Sequence, residues 1–173
     1  MATRGLIARK RGLSWEGNYH HWDSYPSGLG KALWDAYRGP FGRDAERMLQ
    51  VLIDEHPAGW SNIVEADWTK PIGFCDMPRG LSRAELERWS REPKGPQCYC
   101  HGDRHEPAWK LTGPEDDTDA EWCYVIDPQE RTMEIRCKGY MEFGAVNTWY
   151  WHLVGTVDLE AAVEPDWRQL QGW

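Results

Sequence analysis

Two extended segments joined by a short turn open this chain, and they constrain its fold more than any other feature. Residues 3–10 and 15–22 have the mixed apolar, aromatic and polar composition of strands, and the turn-forming stretch 11–14 separates them. Such segments favour an antiparallel hairpin, in which the start of the first strand lies beside the end of the second. The chain is therefore expected to build a β-sheet from its first residues.

The predicted hairpin brings reactive side chains together at its open end. With a simple register, Thr3 and Arg4 are expected near His21 and Asp23. If His21 and Asp23 both lie on the strand, they point to one face, and the carboxylate could orient the imidazole as a general base. Thr3 is then a candidate hydrogen-bonding or nucleophilic hydroxyl. The sequence thus predicts a catalytic group of His21, Asp23 and Thr3.

A turn leading into a helix follows the hairpin and supplies the remaining candidate site residues. Ser27 is expected to cap this helix, and the free backbone N–H groups near Gly28 could help a guanidinium to bind an anionic group. The predicted ligand-binding residues are Arg4, Ser24, Tyr25, Ser27 and Gly28.

The same residues allow a purely structural interpretation. Arg4 and Asp23 could form a buried ion pair that secures the hairpin, with His21 capping a turn. The glycines of this stretch would then only permit tight bends. This alternative predicts no ligand at the hairpin.

Composition and charge narrow the class of protein. The 173 residues are 40% hydrophobic, which suffices for one core and predicts a single domain over 1–173. Twelve tryptophans either pack that core or line a groove for a planar or sugar-like ligand. The formal net charge of −8 makes nucleic acid an unfavourable partner because the phosphates would be repelled.

The lack of a recognisable targeting signal predicts an intracellular location, and the odd number of cysteines is consistent with it. No apolar stretch approaches the roughly 18 residues of a membrane helix, and no secretory signal is recognisable, so we expect a cytoplasmic protein without a membrane partner. Five cysteines in that compartment are expected to be reduced.

Strand patterns at both ends of the chain, with helix patterns between them, predict an α+β fold. We expect mostly antiparallel sheet(s) from the N- and C-terminal strands, with helices packed from the middle of the chain and a long irregular excursion at about 92–120. The predicted helices lie near Ser27–Tyr37, Arg43–His56 and Ser82–Arg91, with a short one possible within 159–170. The predicted later strands are Trp122–Ile126, Thr132–Arg136 and Asn147–Val157.

A cluster of cysteines and histidines lies in the excursion. Cys98, Cys100, His101 and His105 could supply two thiolates and two imidazoles to a zinc ion, and Cys75 lies upstream. Only Tyr99 separates the two cysteines, which is closer than the usual zinc spacing. A second interpretation makes Cys98 or Cys100 a nucleophile activated by a histidine.

Two segments resemble a group of functionally uncharacterised bacterial, phage and fungal proteins. The first opens Met1-Ala-Thr-Arg-Gly-Leu6 and continues Tyr19-His-His-Trp-Asp-Ser-Tyr-Pro-Ser-Gly-Leu-Gly30, and the second is the predicted hairpin 122–136. The group's pattern is Met-x-Thr-Arg-Gly followed by His-x-Asp-Ser-Tyr-Pro-x-Gly-Leu-Gly. The resemblance implies shared chemistry in the first thirty residues but no activity.

The start of the chain also resembles the N-terminal-nucleophile hydrolases. Thr3-Arg4 is similar to the Thr-Arg that follows the catalytic cysteine of some amidases in that class, and the resemblance implies a hydrolase-like fold. Ala2 occupies the position of the nucleophile here. This departure removes the residue whose free amine would act as the base.

Three functions are consistent with these patterns. The first is a pocket at the junction of the hairpin and first helix, which binds a small-molecule or protein ligand or hydrolyses an amide or ester. The second is a noncatalytic, tryptophan-rich interaction protein of phage or mobile-element type. The third is a structural module stabilised by zinc.

Overall fold

The predicted N-terminal hairpin forms the middle of the sheet. Strands β1 (Gly5–Arg11) and β2 (Ser14–His20) pair antiparallel, from Gly5 opposite His20 to Arg11 opposite Ser14. The backbone N–H of Ser24 also donates to the carbonyl of Thr3 at 3.0 Å, so the register is the simple one expected. The structure is a computed structural model and describes residues 3–74, 80–101, 111–112, 119–143 and 146–171.

Further strands extend the hairpin on both sides into a mixed sheet. The added strands are β3 (Trp60–Asn62), β4 (Gln97–Cys98), β5 (Leu111–Thr112), β6 (Trp122–Asp127), β7 (Thr132–Phe143) and β8 (Val146–Asp158). The strand order among the described residues is β4-β3-β2-β1-β6-β7-β8, and β5 pairs separately with β2. The β1–β6 and β2–β3 pairs are parallel, whereas the other pairs of these strands are antiparallel.

Helices come from the middle of the chain, which confirms the α+β prediction. They are α1 (Lys31–Arg38), α2 (Ala45–Leu49) and α3 (Arg83–Arg91), with π-helical turns at Pro26–Gly30 before α1 and Gln50–Asp54 after α2. The capping box predicted for α3 is present. The backbone N–H of Ser82 donates to the Glu85 carboxylate at 2.8 Å, and the Ser82 hydroxyl accepts from the backbone N–H of Glu85.

Two local predictions are wrong. Ser27 does not cap a helix, because the helical segment already begins at Pro26 and the Ser27 hydroxyl donates instead to the Gln171 side chain at 2.8 Å. Within the described part of the tail, the structure has the 3-10 turn Gln169–Gln171 instead of a helix within 159–170.

Two hydrophobic clusters lie on opposite faces of the sheet. In the larger one, Ile7 and Tyr124 of the sheet are buried together with Leu33 of α1 and Leu52 of the turn after α2. The smaller cluster consists of Leu6, Ala8, Trp15, Ala120, Cys123 and Val125. Buried tryptophans contribute to both clusters, whereas Trp22 and Trp149 are 44% and 60% exposed.

The helices of the described residues include none long and apolar enough to cross a membrane.

Close packing within the hairpin requires glycine at position 17. A Cβ at Gly17 would lie 2.7 Å from the Ala8 Cα and closer still to the Ile7 carbonyl oxygen. Both are backbone atoms of the paired strand, so a rotamer change cannot relieve the clash. We expect Gly17→Ala to lower the free energy of unfolding in urea by about 1–3 kcal/mol.

Gly73→Ala is the matched control, because a Cβ at Gly73 meets nothing within 4 Å. Its stability should stay within about 1 kcal/mol of wild type, since alanine only restricts the unfolded chain there. Equal stabilities of the two variants would contradict the close approach of β1 and β2.

Candidate functional site

The strand face that His21 and Asp23 were predicted to share does not form. Strand β2 ends at His20, so His21 and Asp23 do not share a strand face. Asp23 is exposed in the left-handed region at φ 54°, and its carbonyl accepts from the backbone N–H of Leu29 at 3.0 Å. Asp23 is therefore a turn residue, a conformation that aspartate tolerates well.

Arg4 pairs with Asp119 instead of Asp23. The Arg4 guanidinium lies 2.5 Å from the Asp119 carboxylate, and the two side chains are 40% and 61% exposed. The prediction of a buried Arg4–Asp23 ion pair is consequently wrong. Asp119 comes from the segment just before β6, which the hairpin sequence gives no means of identifying.

His21 belongs to a small polar cluster at the same end. Its Nδ1 lies 2.8 Å from the Tyr19 hydroxyl, and its ring makes an edge contact with Trp22 at 4.7 Å between centroids. Partial burial and the nearby Arg4 lower the pKa of His21, whereas burial raises the pKa of Tyr19 to about 12. A neutral imidazole and a neutral phenol are thus favoured there, and ligand binding at this cluster stays a prediction.

His20, to which the sequence gives no predicted role, forms a buried hydrogen bond with Ser24. The imidazole is 0% exposed, and its Nε2 accepts from the backbone N–H of Ile63 at 3.1 Å. In a neutral ring Nδ1 then carries the proton and donates to the Ser24 hydroxyl at 2.7 Å. Because His20 donates to Ser24, it cannot act as a base that activates this serine. Burial lowers the pKa of His20 to about 3.

Most of the other predicted ligand-binding residues form hydrogen bonds within the fold. Ser24 is buried and its carbonyl accepts from the Tyr124 hydroxyl at 2.8 Å, while Tyr25 is half-buried with its hydroxyl near Asp23. The backbone N–H of Gly28 already donates to the Tyr25 carbonyl at 2.9 Å. This N–H group is therefore not available to an anion.

A second cluster gathers three metal-ligating side chains. One ligand atom each from His56, Cys98 and Cys100 can be chosen so that all three lie within 4.8 Å of one another. His56 follows the π-helical turn after α2, and its carbonyl accepts from the Asn18 side chain at 2.9 Å. Cys98 lies on β4 opposite Trp60 of β3, and the His56 ring packs on that indole at 4.7 Å. The fold thus brings two distant segments together here.

Backbone N–H groups are directed at both sulfurs of the cluster. Those of Cys100 and His101 face the Cys98 sulfur, but burial has the larger effect and raises the pKa of that thiol to about 11. The Ala58 N–H donates to the Cys100 sulfur at 3.3 Å, and the His101 Nδ1 lies 2.8 Å from the Cys98 sulfur. Backbone N–H groups directed at sulfur are contacts that a metal-bound thiolate accepts, and a bound cation would itself deprotonate the thiol.

His56 carries a polar atom that lacks a partner. Its side chain is 6% exposed, and its Nδ1 is buried without a hydrogen bond among the described residues. Burial and the neighbouring His101 lower the pKa of His56, so the neutral ring is favoured. A neutral imidazole nitrogen without a hydrogen-bond partner is a suitable metal ligand.

The predicted metal set is thus partly assembled. Cys98 and Cys100 come together, His101 lies beside Cys98, and His105, like Cys75, falls outside the described residues. His56 was missed because it lies far upstream, at the end of a predicted helix, and has no cysteine or histidine at metal-ligand spacing. The full burial of Cys98 also opposes its predicted role as a nucleophile, which requires an accessible thiolate.

Comparison of this chain with protein-family models, curated proteins and solved structures finds no significant match. The chemistry of its own side chains is therefore the basis for assigning a function.

Proposed function

We propose that this protein is a structural module stabilised by a zinc ion, with His56, Cys98, Cys100 and His101 as ligands. His56 lies beside two thiols, and its buried Nδ1 has no hydrogen-bond partner among the described residues; these observations carry the proposal. Two sulfur and two nitrogen ligands are a common tetrahedral set for structural zinc.

Burial alone does not account for this cluster. Leaving a buried nitrogen without a partner costs about 1–3 kcal/mol, and an ordered water or a bound ion usually satisfies such an atom in native proteins. The structural cysteines Cys123 and Cys137 lie on β6 and β7 and are not part of this cluster. A metal ion would satisfy His56 and neutralise the thiolates at once.

The position of the cluster gives the metal a role in folding. Strand β4 has two residues and pairs with a β3 of three residues at the end of the strand order. Such short strands contribute few hydrogen bonds and little apolar burial. A zinc ion bound by His56 and Cys98 would join this edge to the segment after α2, and its binding free energy would add to folding.

Metal content tests the proposal. The protein, expressed in zinc-supplemented medium and purified without chelator, is expected to contain one zinc per chain by elemental analysis. Cys98→Ser and His56→Ala should lose most of the metal because each removes a ligand. Cys137→Ala, a change at a buried cysteine outside the cluster, should keep it. A folded wild type that takes up no stoichiometric zinc on titration would refute the proposal.

A further inference from the structure

We propose that His101 is a displaceable ligand of the zinc centre, so that a small nitrogen or sulfur donor from solution can occupy one coordination position. This inference rests on the proposed function, because it concerns the same centre. It changes the role of the site from a purely structural clamp to one that binds an external ligand.

Exposure separates His101 from the other three ligands. Cys98 is 0% exposed and His56 is 6% exposed, and Cys100 is intermediate, whereas His101 is on the surface. A donor molecule can therefore reach the cluster from the side of His101. The His56 ring instead contacts the fully buried Trp60 at 4.7 Å between centroids.

The fold holds the other three ligands in place. The Asn18 amide holds the His56 backbone, Cys98 is paired within the sheet, and the Ala58 N–H fixes the Cys100 sulfur. A ligand held by such outer contacts keeps its orientation and binds more strongly. Among the described residues, the His101 imidazole has only the contact with Cys98 and a ring contact with His56 at 5.1 Å.

The placement of His101 also differs from that of a converged ligand. Its Nδ1 lies 2.8 Å from the Cys98 sulfur, yet His101 is not a member of the group whose ligand atoms all lie within 4.8 Å of one another. His101 follows Cys100 directly, so the backbone limits how both side chains can approach one ion. Three fixed ligands and a loosely held fourth resemble zinc sites that keep an open position.

Cobalt substitution gives a readout that does not depend on any activity. Co²⁺ bound by two sulfurs and two nitrogens absorbs visible light with bands that report its ligands. We expect His101→Ala to retain one Co²⁺ per chain with shifted bands, and to bind added imidazole saturably with a return toward the wild-type spectrum. Wild type should need a higher imidazole concentration for any change, because its own His101 competes.

His152→Ala, at an exposed histidine of β8 outside the cluster, is the matched control and should keep the wild-type spectrum. Three results would overturn the inference. They are an unchanged spectrum in His101→Ala, a loss of Co²⁺ in His101→Ala as complete as in Cys98→Ser, and a shift produced by His152→Ala instead. Failure of the wild type to bind Co²⁺ or Zn²⁺ at all would instead contradict the proposed function, so the two failures are distinguishable.

Discussion

Removal of zinc is expected to lower the midpoint of thermal unfolding by roughly 8–16 °C. A ligand that binds only the folded state at about 1,000 times its Kd contributes about 4 kcal/mol. In a chain of this size each kcal/mol corresponds to roughly 2–4 °C. The zinc-loaded protein and the protein treated with a chelator, both kept reduced, should be compared by circular dichroism.

Variants separate this effect from general damage by the chelator. Cys98→Ser should unfold near the midpoint of the metal-free wild type whether or not zinc is added. Cys137→Ala should still show a zinc-dependent shift, because that cysteine lies outside the cluster. A midpoint that is insensitive to chelator in the wild type would mean that the metal has no stabilising role.

Acidification is expected to destabilise the wild type through His20. The unfolded histidine titrates near 6.5, whereas burial lowers the pKa of His20 in the folded protein to about 3. Between these values the unfolded chain binds more protons, so stability falls as the pH decreases from about 6.5 toward 3. Above pH 6.5, His20 contributes no pH dependence to the free energy of unfolding. At about 1.4 kcal/mol per pH unit, the loss at pH 5 is about 2 kcal/mol.

His20→Gln should remove this part of the pH dependence. Glutamine can still accept from the Ile63 N–H but does not titrate, so its free energy of unfolding should fall about 2 kcal/mol less between pH 7 and pH 5. Urea titrations at the two pH values measure the difference, and other titrating groups cancel in the comparison. His152→Gln, at an exposed histidine, should behave like wild type. Parallel pH profiles for wild type and His20→Gln would contradict the buried neutral imidazole.

Features with local causes were predictable from sequence. The turn at 11–14 and the strands beside it gave the hairpin with its register, because antiparallel pairing across a short turn leaves few alternatives. The reciprocal contacts of Ser82 and Glu85 followed from their spacing. In each case the interacting residues are close in the chain.

Partners that are distant in the chain were not predictable. The pairing of Arg4 with Asp119 and of Cys98 with His56 depends on how segments pack in three dimensions. The predicted shared face of His21 and Asp23 is absent for a different reason, since the strand ends at His20 and the later side chains lose the direction that a strand would give them. The strand is two residues shorter than expected, and its last residue is the fully buried His20.

The parallel pairing of β1 with β6 has a consequence for the order in which the chain folds during synthesis. Gly5 pairs with Trp122, so one side of the hairpin stays unpaired until the ribosome has released more than two thirds of the 173 residues. Pairing between such remote segments slows folding and leaves an open strand edge that can aggregate. Nascent chains that end before β6 should therefore depend on chaperones, although the hairpin is the first element to emerge.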